Sequence, residues 1–85
     1  MRINVSMTDL KQVYFLGIGG IGMSAIARWF LYNGYPVAGY DKTESPLTRT
    51  LASEGMDIHY EDSVEQIPAI CLAEPEKCLF IYTPA

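Results

Sequence analysis

The 85-residue sequence contains few cationic, cysteine and histidine residues, and each shortage argues against a class of function. Lysine and arginine together number 6 against 10 acidic residues, which gives a net charge of −4. A chain of this charge has no basic surface for nucleic acid or an anionic membrane. One histidine and two cysteines, without metal-ligand spacing, predict no metal site. We therefore expect any bound anion to be held by backbone geometry.

The two cysteines, Cys71 and Cys78, are seven positions apart, and the N-terminus does not resemble a cleaved signal peptide. We expect both to be free thiols in a reducing cytoplasm, which is the predicted location of the protein. A metal-bound or disulfide-bonded pair is the alternative.

The sequence also lacks an apolar run suited to a membrane helix. Residues 14–32 carry a single charge, Arg28, but that charge would lie inside the bilayer, and four glycines in the same run weaken a helix. A strand, a turn and a helix in succession explain this run better. We expect no membrane insertion.

What the sequence does contain is the composition of a globular domain, with 49% hydrophobic and 19% charged residues. Apolar periodicity and turn residues predict alternating strands and helices. Ser45 and Pro46 are start signals for the second helix, and Gly34 and Gly55 are stop signals for the two helices. We expect strands at 13–16, 35–40, 56–60 and 79–83, helices at 20–33 and 45–55, a helical turn at 62–67, a flexible lead-in at 1–12 and no assignable element at 68–78.

Strands that alternate with helices are joined by right-handed crossovers and therefore lie parallel. The predicted fold is α/β, a Rossmann-like parallel sheet in the order 3-2-1-4 with flanking helices, forming one domain over residues 1–85. The chain stops directly after the fourth strand, without the helix that normally covers such a sheet. We expect it to be the first part of a longer protein.

A glycine-rich turn follows the first predicted strand. Gly17, Gly19 and Gly22 satisfy the G-x-G-x-x-G pattern, and Asp41 lies nineteen positions beyond Gly22, after the next strand. In this pattern Gly17 permits the tight turn, Gly19 lets a pyrophosphate approach, and Gly22 lets the helix pack close to the sheet. The helix N-terminus presents free N–H groups to the phosphates, and Asp41 is expected to bind nucleoside hydroxyls. The pattern alone predicts a dinucleotide such as NAD.

The residues around the glycines are more specific. The run FLGIGGIGMSAIA, then GYPVAGYDKTES, an S-x-x-T-x-x-L pattern and the final YTPA resemble the N-terminal domain of the Mur ligase family, in particular the members that join L-alanine to UDP-N-acetylmuramate in peptidoglycan synthesis. In that family this domain is Rossmann-like but holds the UDP moiety. By this resemblance, the residues expected to bind UDP are Gly17, Ile18, Gly19, Gly20, Ile21, Gly22, Met23, Ser24, Asp41, Lys42, Thr43 and Thr83.

The resemblance also implies individual roles. The backbone of residues 18–22 would face the diphosphate, residues 41–43 would lie beside the uridine, and Thr83 would lie near the uracil. Ser24 is expected either to reach a phosphate oxygen or to cap the first helical turn. The side chains of Met23 and Trp29 are expected in the core. After the third strand the family usually has a Gly-His pair, where this chain has Glu61 and Asp62, while His59 is expected within the strand.

The reaction of the family uses ATP and Mg²⁺ to activate a carboxylate, which L-alanine then attacks. The sequence has no G-x-x-x-x-G-K-[ST] motif and no acid–base or nucleophile arrangement, so these residues alone are expected to be inactive and to hold no cofactor. ATP, Mg²⁺ and L-alanine would bind to further domains. The alternative hypothesis is an NAD-binding module of an oxidoreductase or of a redox-sensing regulator.

Overall fold

Four parallel strands form one sheet within residues 9–82, the part of the chain that the computed structural model describes. The strand order β3-β2-β1-β4 confirms the predicted α/β fold and its 3-2-1-4 order. In the centre of the sheet, Phe15 is in register with Gly39 on one side and with Ile81 on the other. Gln12, which we expected in the lead-in, opens the first strand. The strands are β1 (Gln12–Leu16), β2 (Val37–Tyr40), β3 (Asp57–His59) and β4 (Cys78–Ile81).

Three α-helices occur in this part of the chain: α1 (Ile21–Tyr32), α2 (Pro46–Ser53) and α3 (Ala69–Ala73). The predicted stop signals are confirmed, because Gly34 and Gly55 follow α1 and α2 with φ of +88° and +115°, a conformation that favours glycine. The predicted start of α2 is confirmed as well. Ser45 is its N-cap and accepts a hydrogen bond from the Thr48 N–H, and Pro46 is the first helical residue. None of the helices within residues 9–82 has the length and apolar character needed to cross a membrane.

The segment without a predicted element contains α3 and a 3-10 turn at Pro75–Lys77. Another 3-10 turn, Val64–Gln66, lies in the predicted helical turn. A five-residue helix is too short to show a helical period in the sequence, which is why α3 was not expected.

The two faces of the sheet are covered by different helices. On one face, α1 and α2 pack over the larger core cluster, in which Phe15, Ala27 and Leu51 are fully buried. On the other face, α3 packs beside a smaller cluster around Tyr14 and Ala38. The expectation that Trp29 belongs to the core is wrong, because its side chain is 53% exposed.

Cys71 and Cys78 form a disulfide bond, so the expectation of free thiols is wrong. Cys71 lies in α3 and Cys78 opens β4, and both side chains are buried. The turn between them folds α3 back against the start of β4 and brings the two Cα atoms to 5.2 Å, within the range that a disulfide spans. The spacing of the cysteines in the sequence does not contain this information.

Candidate functional site

The glycine-rich segment forms a tight turn at the carboxyl end of β1. Gly17 has φ of +83°, which a residue with a side chain rarely adopts. The N–H groups of Gly17 and Ile18 donate to the Tyr40 carbonyl at 2.8 and 3.1 Å, and the Gly20 N–H donates to the Gly17 carbonyl at 3.0 Å. The turn is therefore closed on itself and anchored to the end of β2.

Helix α1 begins immediately after this turn, with its first N–H groups uncapped. Its N-cap, Gly20, has no capping side chain, and the first turn has no acidic residue. The Ser24 N–H donates to the Gly20 carbonyl at 2.9 Å, so the N–H groups of residues 21–23 precede the first hydrogen bond of the helix. These three groups and the positive end of the helix dipole form an anion-binding arrangement.

Asp41, which follows β2, contacts the glycine turn directly. Its Oδ2 accepts the Gly19 N–H at 2.9 Å, and its Oδ1 accepts the Thr43 N–H at 3.0 Å. The structure thus brings the predicted carboxylate and the predicted loop together. A carboxylate has about four lone-pair sites, so acceptor capacity remains for a hydroxyl group.

The expectation that Gly22 allows close packing of the helix on the sheet is wrong. Gly22 is exposed, and a Cβ atom at this position would meet nothing within 4 Å. The close approach occurs at Gly39 in β2, where a Cβ atom would lie 2.7 Å from Ile18 Cδ1. Gly19 is also confined, because its Cβ would lie 2.8 Å from both Asp41 Oδ2 and Thr48 Cγ2.

The other residues predicted to bind UDP differ in how exposed their side chains are near the turn. Ile21 is 90% exposed beside the glycines, whereas the side chains of Ile18 and Met23 are buried in the core, as expected for Met23. The Ser24 hydroxyl is buried and donates to the Ile21 carbonyl at 2.9 Å, a contact inside the helix. Lys42 and Thr43 are exposed beyond Asp41, and Thr83 lies outside the described residues.

Thr48 and Tyr60 complete the surroundings of the turn. Thr48 is fully buried in the first turn of α2, and its Oγ1 accepts a hydrogen bond from the Tyr60 hydroxyl at 2.9 Å. Thr48 belongs to the S-x-x-T pattern noted in the sequence. Tyr60 has no sequence signal of its own, because its contact with a residue twelve positions earlier depends on how β3 lies beside α2.

A second polar contact joins β1 to β3 on the side of the sheet that carries α3. The Tyr14 hydroxyl lies 2.6 Å from His59 Nε2, and His59 Nδ1 lies 2.9 Å from the Glu61 carbonyl. Because a carbonyl only accepts, Nδ1 carries a proton, and in the neutral ring Nε2 accepts from Tyr14. Burial raises the pKa of the Tyr14 hydroxyl, and the negative charge of Asp62 raises that pKa further. His59 ends β3, as expected, and Glu61 and Asp62 follow it on the surface.

Neither a metal-ligating cluster nor the common ATP-binding loop motif occurs among the described residues. Within residues 9–82, no three His, Cys, Asp or Glu side chains cluster closely enough to hold a metal. The sequence has no G-x-x-x-x-G-K-[ST] loop. The arrangement here is a backbone N–H site at a helix start, next to a carboxylate.

The chain is similar in sequence to one protein family and to several of its members. The family model described as "Mur ligase family, catalytic domain" matches residues 12–85. The UDP-N-acetylmuramate--L-alanine ligase of Cytophaga hutchinsonii is 52% identical over 81 residues, which are 95% of this chain and 17% of that protein. The ligase of the same name from Parabacteroides distasonis is 56% identical over 81 residues, with the same coverage. That of Porphyromonas gingivalis is 51% identical over 76 residues, which are 89% of this chain and 16% of that protein. The chain spans about a sixth of the length of these relatives.

Proposed function

The chain belongs to the Mur ligase family, and on that premise we propose that it is the UDP-binding part of a ligase that joins L-alanine to UDP-N-acetylmuramate in peptidoglycan synthesis. The shared name of relatives 51 to 56% identical supports the substrate and the reaction. The chain would act in the cytoplasm as one domain, residues 1–85, of a longer enzyme.

The observation that carries the proposal is the set of uncapped N–H groups at the start of α1. In the turn before it, the N–H groups of residues 17–20 all donate to protein acceptors, so the N–H groups of residues 21–23 are left for the diphosphate. A net charge of −4 makes such a local site necessary, because the overall field repels a diphosphate.

The position of the turn in the sheet supports the same assignment. Order β3-β2-β1-β4 reverses direction between β1 and β4, and ligands of open α/β sheets bind beyond the carboxyl ends of the strands at this reversal. The glycine turn follows β1 at this point. We propose that Asp41, Lys42 and Thr43, which follow β2, lie beside the uridine, and that Thr83 lies near the uracil.

The ligation itself requires ATP and Mg²⁺, which the residues described above do not fit. In our proposal the described residues hold and orient the nucleotide sugar, while ATP and L-alanine bind to other parts of the enzyme. The chain by itself is then expected to show no ligase activity.

Titration of the ¹⁵N-labelled chain tests the choice of ligand. We expect UDP-N-acetylmuramate to shift the amide signals of residues 17–23 and NAD to leave them unchanged at the same concentration. Shifts produced by NAD and not by UDP-N-acetylmuramate would overturn the proposal in favour of a dinucleotide-binding module.

An Ile21→Pro variant tests the N–H groups themselves, because it removes one of them without removing the helix. Proline is favoured at the first helical position, and Gly20 already has φ −66° and ψ 147°, which a residue before proline prefers. The Ile21 side chain is 90% exposed, so little packing is lost. Loss of a hydrogen bond to a charged group costs about 1.5–3 kcal/mol, and we expect binding of UDP-N-acetylmuramate to weaken by roughly 10- to 100-fold.

The matched control is Ile21→Ala, which loses the same side chain but keeps the N–H group. Both variants are expected to unfold at nearly the same temperature. Equal affinities of the two variants for UDP-N-acetylmuramate would show that the Ile21 N–H does not contact the ligand.

A further inference from the structure

The side chains of Thr48 and Tyr60 are hydrogen-bonded to each other at 2.9 Å, and the methyl group of Thr48 lies beside Gly19 of the turn. We propose that these two side chains are positioning residues, which hold Gly19 and thereby set the geometry of the N–H groups that bind the diphosphate. This inference rests on the proposed function above, and it adds two side chains that touch the turn or its support and not the ligand.

The side chain of Thr48 is immobile. It is fully buried, and its Oγ1 donates to the Ser45 carbonyl at 3.0 Å. The same oxygen accepts the Ser45 N–H at 2.9 Å and the Tyr60 hydroxyl at 2.9 Å. The Ser45 hydroxyl adds a longer bond to this oxygen at 3.4 Å. The donor and acceptor capacity of the Thr48 hydroxyl is therefore filled, and its χ1 angle is fixed.

This fixed side chain lies directly against the glycine turn. The methyl carbon Cγ2 of Thr48 lies 2.8 Å from the position that a Gly19 Cβ would take, and Asp41 Oδ2 lies 2.8 Å from the same position. Gly19 is therefore packed against Thr48 while its N–H is hydrogen-bonded to Asp41 at 2.9 Å. A shift of Thr48 would open space beside Gly19 and loosen this hydrogen bond.

Tyr60 supplies the one bond to Thr48 Oγ1 that comes from outside the α2 cap. The other partners of Oγ1 are the N–H, the carbonyl and, at 3.4 Å, the hydroxyl of Ser45, inside the cap, and these suffice to start the helix. The Tyr60 hydroxyl, from the segment after β3, links that segment to the first turn of α2, where the Thr48 methyl group lies beside Gly19. Its loss should leave α2 formed and let Thr48 shift away from Gly19.

The test uses Tyr60→Phe, which removes the hydroxyl and keeps the ring. Tyr35→Phe is the matched control, because Tyr35 is also half-buried but precedes β2, at the amino ends of the parallel strands, whereas the glycine turn follows the carboxyl end of β1. Amide hydrogen exchange of Gly19 and the affinity for UDP-N-acetylmuramate are measured well below the unfolding transition. We expect Tyr60→Phe to speed exchange at Gly19 and to weaken binding, each by roughly 3- to 10-fold, and Tyr35→Phe to change neither.

A Thr48→Ser variant tests the contact with Gly19 separately, since it keeps Oγ1 and the cap but loses the methyl group. Faster exchange at Gly19 with an intact α2 supports the positioning role. Wild-type exchange at Gly19 in both Tyr60→Phe and Thr48→Ser would overturn it, whether or not the chain binds nucleotide. Failure of the wild-type chain to bind UDP-N-acetylmuramate would instead overturn the proposed function, and the exchange rates would still decide the positioning role.

Discussion

Replacement of Gly39 by alanine places a methyl group where the neighbouring atoms leave no room for it. The new Cβ would lie 2.7 Å from Ile18 Cδ1, 3.0 Å from Ile18 Cβ and 3.1 Å from the Phe15 carbonyl oxygen. The terminal carbon Cδ1 can rotate away, but Ile18 Cβ and the carbonyl belong to the turn and to the central strand. Since Ile18 is fully buried, there is no space into which it can relax.

The magnitude follows from two opposing effects. Overpacking of a core position costs typically 1–3 kcal/mol, and the immobile neighbours of Gly39 place it at about 2–3 kcal/mol. Removal of glycine from a strand gains roughly 0.5–1 kcal/mol. We expect Gly39→Ala to lower the free energy of unfolding by about 1–2 kcal/mol, which for a domain of this size lowers the midpoint temperature by roughly 4–16 °C.

The matched variant is Gly22→Ala, at the glycine that the sequence pattern assigns to helix packing. A methyl group there meets nothing within 4 Å and lies in the first turn of α1, so we expect it to be neutral or to gain up to about 1 kcal/mol. Urea denaturation followed by circular dichroism measures both variants, and an unchanged m-value keeps the comparison valid. A larger loss for Gly22→Ala than for Gly39→Ala would refute the assignment of close packing to Gly39.

Three further predictions concern titration and crosslinking. The hydrogen bonds from Arg28, at 2.9 to 3.3 Å, hold the pKa of Glu54 below its usual range. Their contribution to the free energy of unfolding is therefore present above the usual pKa and lost as the pH falls through the lowered pKa. Glu54→Gln should remove this part of the acid dependence, as measured by denaturation at several pH values. Burial raises the pKa of Tyr14, so its contribution to the free energy of unfolding should be lost as the pH rises above about 10. Tyr14→Phe should remove this loss. Near-ultraviolet absorbance of the phenolate measures the titration, and unfolding curves measure the stability. The disulfide bond between Cys71 and Cys78 closes a short loop, and replacement of both residues by alanine should lower the free energy of unfolding by about 2–3 kcal/mol. Alkylation of the folded chain before reduction, followed by mass spectrometry, should find no free thiol.

The sheet order and helix ends could be predicted from the sequence because each has a local cause. An unbroken apolar run marks a strand buried on both faces, and glycines such as Gly34 and Gly55 mark helix ends through their positive φ. Capping by Ser45 is likewise local. Because strand–helix–strand units cross over in a right-handed way, the order of strands and helices along the chain then indicates the order of the strands in the sheet.

The features that were missed depend on packing between distant segments. The glycine pattern indicates which residues lack a side chain, but it does not reveal that Gly39, and not Gly22, is approached by another atom. The bond from Tyr60 to Thr48 and the pairing of Cys71 with Cys78 arise in the same way. Each depends on where a short element, β3 or α3, comes to rest against its neighbours.

Fewer N–H groups are left without a protein acceptor than the glycine pattern suggests. Four consecutive N–H groups, those of residues 17–20, hold the turn in shape by donating to Tyr40, Asp41 and Gly17. In our proposal, recognition of the diphosphate by the backbone therefore falls to the N–H groups of residues 21–23, whose direction is set by the helix that follows. On this proposal, most of the glycine segment supports the turn and the first turn of α1 binds the diphosphate, so the contacts of Asp41, Thr48 and Tyr60 should control affinity.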